Sequence, residues 1–225
     1  MNELFSLKGR TALITGGSRG IGRMIAEGFL KQGAKVYISA RKAAVCDQTA
    51  AELSAFGTCV SLPADVSTVE GVRALVAAYS AHEDQLDILV NNAGAAWGAP
   101  FDAFPESGWD KVVNLNLKTP FFLTQALHAH LTKAGQSHVA KVINIASIDG
   151  VSVNPQETYS YAASKTGLIH LTRRMALHLA KDNIAVTAIA PGAFASEMNK
   201  DARDHETEVS ERIPAGRIGT TEDMA

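Results

Sequence analysis

The sequence predicts an α/β protein built on a Rossmann-like, doubly wound parallel sheet. Short β-branched runs alternate along the whole chain with longer helix-like stretches. Each run is nearly continuous in apolar character, as a strand must be when helices cover both faces of its sheet. The first run also leads straight into a glycine-rich turn, "ITGGSRGIGR" at 14–23. Strict alternation of this kind gives a three-layer αβα arrangement with ligands at the C-terminal ends of the strands.

The strands are expected at "TALIT" (11–15), "KVYIS" (35–39), "CVSLP" (59–63), "DILVN" (87–91), "KVINIAS" (141–147) and "AVTAIA" (185–190). Helices are expected between them, near 20–32, 43–55, 68–82, 105–132 and 160–181. In the last of these, Leu168, Leu171, Met175 and Leu179 recur every three or four residues and mark one apolar face. No repeat or linker interrupts the pattern, so residues 1–225 read as a single domain with a substrate loop at about 193–217. "GTTEDMA" at the end looks like a helix start, with Thr220 or Thr221 as cap and Glu222 and Asp223 in the first turn. A sheet ending at the sixth strand would expose an unpaired edge. A further helix and a seventh strand are therefore expected beyond Ala225.

Composition narrows the class. The chain has 225 residues, 46% hydrophobic and 20% charged, with a formal net charge of -2. Neither sign of charge dominates, so nucleic acid and acidic membrane surfaces are not expected partners. "MNELFSLKGR" lacks the basic-then-apolar order of a signal peptide, and nowhere do about 18 apolar residues run together. Cys46 and Cys59 are isolated and read as buried thiols rather than a disulfide or metal site. The seven histidines form no paired HxxxH or Cys/His cluster, so no metal is expected. A cytoplasmic protein is the expectation.

Gly16, Gly17, Gly20 and Gly22 join the first strand to the first helix. There they permit a tight turn and close approach to a pyrophosphate, while the helix N-terminus offers N–H donors and a partial positive charge. A tight turn without a ligand would use glycine too. The wider context separates the two readings. Thr15 to Gly22 form TGxxxGxG, "NNAG" at 91–94 follows the fourth strand, and Ser147 ends the fifth. "YAASK" at 161–165 opens the last long helix, and "PG" at 191–192 follows the sixth strand. In this order and at these strand ends, the motifs closely resemble the short-chain dehydrogenase/reductase family, over essentially the whole chain.

The resemblance implies a nicotinamide dinucleotide. It places Gly16, Ser18, Arg19, Gly20, Ile21 and Gly22 in the pyrophosphate turn, and Asn92 and Gly94 beside the cofactor, with Asn91 bracing the sheet. Asp65 and Val66 match adenine contacts, although Asp65 could instead cap the following helix. Pro191, Gly192, Phe194 and Ser196 fall at the carboxamide. Many relatives have isoleucine and threonine where this chain has Phe194 and Ser196, but serine keeps the hydroxyl and Phe194 keeps its backbone.

NAD-specific members of such folds carry an acid after the second strand for the ribose 2′-hydroxyl. Here Ala40 stands in that place and Arg41 follows. Arg41 offers a charge-assisted fork for a 2′-phosphate, and Arg19 can reach the same group. The alternative reading of both arginines is as solvated surface charges. Together, with the acid absent, they favour NADP(H).

Hydride transfer to a carbonyl leaves negative charge on oxygen, which needs a proton donor and hydrogen bonds. Tyr161 and Lys165 stand one helical turn apart, and a lysine there is expected to lower the phenol's pKa. Tyr159 has Ala163 at the corresponding position, so it reads as wall or substrate contact. By resemblance, Ser147 binds the substrate oxygen, Tyr161 donates the proton, and Lys165 also holds the nicotinamide ribose. Asn116 in "NLNLKTP" matches the asparagine of a water-linked proton relay, with Asn114 its nearest rival. Ser147 and Tyr161 are 14 positions apart, one more than in typical fatty-acid-synthesis reductases. That spacing and "ARKA" after the second strand look most like 3-oxoacyl-carrier-protein reductases of the branch associated with rhamnolipid synthesis.

The implied function is NADPH-dependent reduction of a ketone, a 3-oxoacyl thioester first among candidates. A dehydrogenase of a sugar, polyol or cyclic alcohol is the alternative, and a non-catalytic nucleotide-binding protein is the reading from another class. The family's long helices, here about 105–132 and 160–181, pair across subunits, so a homotetramer is expected. "FFLTQALHAHL" (121–131) carries more apolar surface than one sheet face needs.

Overall fold

A computed structural model describes residues 5–224 of the chain. The expected helix and strand past Ala225 lie outside the described residues. Six strands form one sheet: β1 (Thr11–Thr15), β2 (Lys35–Ser39), β3 (Cys59–Ser61), β4 (Ile88–Asn91), β5 (Ala140–Ile145) and β6 (Ile184–Ile189). Their order is β3-β2-β1-β4-β5-β6, and every pairing is parallel. The order reverses between β1 and β4, so a crevice opens where both chains leave the sheet.

Apolar side chains sit on both faces. On one, Leu13, Tyr37, Leu89 and Val142 meet α3 (Val69–Ser80), α5 (Thr119–Ala126), α6 (His128–Gly135) and α7 (Tyr159–Leu179). On the other, Ile14, Val36, Ile38 and Val90 meet α1 (Gly20–Lys31) and α2 (Ala43–Leu53). Two-sided burial is why the strands lack a polar alternation. At the end of the sheet opposite the crevice, buried Asp87 accepts hydrogen bonds from the Thr11 amide (2.6 Å) and hydroxyl (2.9 Å).

One expected helix is divided. The stretch 105–132 consists of α4 (Glu106–Val113), a π-helical turn (Asn114–Lys118), α5 and α6. Pro120 has no N–H to donate to the Asn116 carbonyl four residues back, so the α-helical ladder fails there. A second break comes at Leu127, whose ψ of 5° is not helical. β3 and β5 are shorter at their C-terminal ends than expected. Three short helices finish the described chain: α8 (Lys200–Asp204), α9 (Glu206–Glu211) and α10 (Thr221–Met224). Met224 packs on the α1 side of the sheet, and the edge strand β6 leaves Thr187, Ala188 and Ile189 exposed. Among the described residues, no helix is long and apolar enough to cross a membrane.

Candidate active site

The glycine turn lies between β1 and α1, in the crevice. Gly16 has a φ of +66°, which other L residues adopt only with strain. A Cβ on Gly22 would fall 2.4 Å from the Gly16 carbonyl oxygen and 2.4 Å from Asn92 Nδ2. The turn is tied to the end of β4: Asn92 Nδ2 donates to the carbonyls of Thr15 (2.9 Å) and Gly16 (3.2 Å). The amides of Asn92 and Ala93 both donate to Thr15 Oγ1, each at 3.1 Å. Arg19 occupies the N-cap position without a capping side chain, and the first turn of α1 holds no acid. The leading N–H groups and the positive helix end therefore stay available to an anion. Ser18 accepts from Thr49 Oγ1 at 3.1 Å through its carbonyl, which ties the turn to α2.

Arg19 and Arg41 are both exposed, and neither has an ion-pair partner among the described residues. Ala40 lies between β2 and Arg41, so no carboxylate stands where a 2′-phosphate would sit. Asp65 forms a local turn, accepting from the Ser67 amide (3.1 Å) and hydroxyl (2.7 Å). Its expected alternative role as helix cap belongs instead to Thr68, whose hydroxyl accepts from the Gly71 amide at 3.0 Å. Val66 is buried, and its carbonyl accepts from Thr119 Oγ1 at 2.5 Å.

Ser147, Tyr161 and Lys165 converge where β5 meets the start of α7. Ser147 caps a 3-10 turn over Ile148–Gly150, its Oγ accepting from the Asp149 amide at 3.2 Å, and its side chain is near enough to act on the Tyr161 phenol. Lys165 Nζ lies 5.6 Å from the Tyr161 ring centre and donates to the Ile145 carbonyl at 2.6 Å. Burial lowers the Lys165 pKa to about 8. Burial also raises the Tyr161 phenol above its ordinary value, Ser147 opposes the rise and the Asp149 charge adds to it. This corrects the expectation that Lys165 lowers the phenol: the ammonium is held by a backbone carbonyl, and desolvation decides the direction.

Asn116 is buried, and both ends of its amide are engaged. Oδ1 accepts from the Ala95 amide (2.9 Å), while Nδ2 donates to the Ala95 carbonyl (2.9 Å) and to Ser164 Oγ (3.1 Å). A Cβ on Gly94 would lie 3.3 Å from Asn116 Oδ1 and 3.8 Å from Lys165 Nζ, so these three residues share one small space. Asn91 donates to Asn144 at 2.8 Å across the sheet. Ser164 is a participant that spacing alone did not single out, although it lies inside the quoted "YAASK".

The remaining residues come from the chain after β6. Pro191 accepts from the Ile148 amide at 3.0 Å, which joins this segment to the Ser147 turn. Gly192 is exposed. Phe194 is buried and bridges to Gly219, where a Cβ would fall 2.2 Å from the ring. Ser196 Oγ accepts from the Asn199 amide at 3.1 Å, and its Cβ would lie 3.6 Å from a Cβ on Gly20. The segment thus comes back over the glycine turn. Ile21 lies half-buried in the first turn of α1.

A parallel sheet with a glycine turn at its switch point and a Ser/Tyr/Lys group at the neighbouring strand end defines a class. The chain is an oxidoreductase of the short chain dehydrogenase family, whose sequence model matches residues 10–207. Among its relatives is the rhamnolipids biosynthesis 3-oxoacyl-[acyl-carrier-protein] reductase of Pseudomonas aeruginosa. The two are 46% identical over 230 residues, covering 100% of this chain and 90% of that protein. The 2-dehydro-3-deoxy-D-gluconate 5-dehydrogenase of Escherichia coli (strain K12) is 38% identical over 228 residues, covering 98% and 87%. The solved Pseudomonas aeruginosa RhlG/NADP active-site complex superimposes with a TM-score of 0.96 at 45% identity, covering 100% of this chain and 89% of that one. The family read from the motifs is borne out.

Proposed function

We propose that the protein uses NADPH to reduce the ketone of a 3-oxoacyl thioester to a secondary alcohol. One observation carries the reading: Tyr161 has the buried Lys165 Nζ 5.6 Å from its ring centre and the Ser147 side chain acting on its phenol, which burial keeps protonated at neutral pH. A phenol that keeps its proton is the form needed to protonate an oxygen gaining negative charge. Ser147 holds that oxygen, and Tyr161 passes its proton to it. Lys165, beside the Tyr161 ring, is placed to hold the nicotinamide ribose, while Asn116 fixes Ala95 and Ser164 around it. The residues present fit the cofactor: an uncapped helix N-terminus, glycines whose Cβ atoms would fill the cradle, and two unpaired arginines where an acid would discriminate against a 2′-phosphate. Bound NADPH supplies the hydride.

The thioester assignment draws on the Pseudomonas relative, and the preference for NADP(H) on Ala40, Arg41 and Arg19. We also assign the protein to the cytoplasm, as a homotetramer. Exposed Trp109, Phe121 and Leu177, on α4, α5 and α7, give those helices apolar surface to bury against another copy. NADPH oxidation followed with acetoacetyl and longer 3-oxoacyl thioesters, beside 5-keto sugar acids, tests the reading. Turnover of thioesters is expected. Turnover of sugar acids alone would overturn it.

A further inference from the structure

The loops after β4 and β5 are stitched together beside the candidate active site. The Ala99 amide donates to the Glu157 carbonyl at 3.2 Å. Glu157 Oε1 accepts from the Phe101 amide at 3.3 Å and from the Tyr159 hydroxyl at 3.4 Å. Tyr159 in turn meets Phe101 and Phe104 edge to face, with ring centres 5.6 and 5.7 Å apart. Aromatic edges at these separations attract and hold one another in place. The rings therefore form a fixed shelf, although Phe101 is 73% exposed. Next to Ser147, Ile148 and Val151 are exposed as well.

So much apolar surface left in water, held rigid on the segments that carry the site, marks a place that something apolar covers. Position identifies the occupant. The shelf begins at Tyr159, two residues before Tyr161, and the second apolar group begins one residue after Ser147. Both groups begin on the chain segments that present Ser147 and Tyr161, and are the nearest apolar surface along the chain to a ketone held there. The acidic side chains nearby disfavour a carboxylate there, because Glu157 belongs to the shelf and the Asp149 charge is felt at Tyr161. An uncharged alkyl tail suits this surface better than a sugar acid.

We propose that Phe101, Phe104 and Tyr159 bind the aliphatic tail of the substrate and make the protein prefer medium-length 3-oxoacyl chains to acetoacetyl units. This rests on the thioester reading given above. It assigns chain-length selection to named residues outside the Ser/Tyr/Lys group.

The test compares kcat/KM for acetoacetyl, 3-oxohexanoyl, 3-oxooctanoyl and 3-oxodecanoyl thioesters on one carrier. The natural protein is expected to gain about two- to fourfold per added methylene, mainly through KM. In a Phe101→Ala/Phe104→Ala double variant the rise flattens, and in Phe101→Leu, which keeps apolar bulk, it persists. NADPH fluorescence titration checks that the double variant folds. If it does not, Phe101→Ser, which removes a mostly exposed ring, takes its place. A flat profile in the natural protein overturns the tail assignment and leaves the thioester reading standing. An undiminished rise in the variants also overturns it, as does an altered oligomer size by light scattering with the rise intact, which makes the shelf a subunit contact. Absence of turnover with every thioester overturns the thioester reading and the tail with it.

Discussion

Lys165 Nζ donates to the backbone carbonyl of Ile145 at 2.6 Å, deep under the mouth of the site. The contact joins the second turn of α7 to the last residue of β5, the two elements that present Tyr161 and Ser147. One hydrogen bond to a neutral carbonyl does not replace water around an ammonium, so the lysine pKa falls from 10.5 to about 8.

That depression has a sign. Between pH 8 and 10.5 the unfolded chain holds a proton that the folded protein has released, so stability rises with pH in this window. Thermal melts of the natural protein and of Lys165→Met are expected to converge as pH climbs through it. The difference between the two should be greatest below pH 8, where charging the buried amine costs the natural protein most. A pH-independent difference would contradict the assignment.

Tyr161→Phe removes the proton donor alone. Its kcat is expected to fall by about 10²–10⁴-fold, the usual worth of a positioned acid, with NADPH affinity retained. Tyr159→Phe, which loses one 3.4 Å hydrogen bond, should keep activity within a few-fold. Equal losses in both variants would remove the reason for choosing Tyr161. Steady-state kinetics together with NADPH titration separate the cases.

Much of this was legible in the sequence. Six strands and the order of the motifs followed from apolar runs and glycine spacing, because a two-sided parallel sheet imposes both. The division of 105–132 was not, although Pro120 was in plain sight. A proline is tolerated in the first turn of a helix, and only the π-helical turn over Asn114–Lys118 shows that a new helix starts there. The direction of the Tyr161 pKa was also hidden. A neighbouring cation is visible as spacing, but burial is a property of the assembled fold.

Cofactor choice makes a third prediction. Ala40→Asp with Arg41→Ala places a carboxylate at the 2′ position and removes a cation. The ratio of kcat/KM for NADPH over NADH is expected to fall by at least about tenfold, one lost charge-assisted contact. Equal use of both cofactors by the natural protein would refute the premise.

Far from the site, Asp87→Ala should destabilise the fold by about 3 kcal/mol. It strips a buried acceptor from the Thr11 amide and hydroxyl and takes the carboxylate away from Arg10, 3.7 Å off, and His138, 2.5 Å off. Asp87→Asn, which keeps one acceptor oxygen, should cost less. Urea unfolding midpoints at constant slope would show the difference.

The bridge between Phe194 and Gly219 fixes the distance between the two ends of the excursion that carries α8 and α9. Chain inserted or removed between those ends need not disturb β6 on one side or α10 on the other. Evolution can therefore rewrite the roof of the site, in length as well as in composition, while the sheet and the cofactor turn stay as they are.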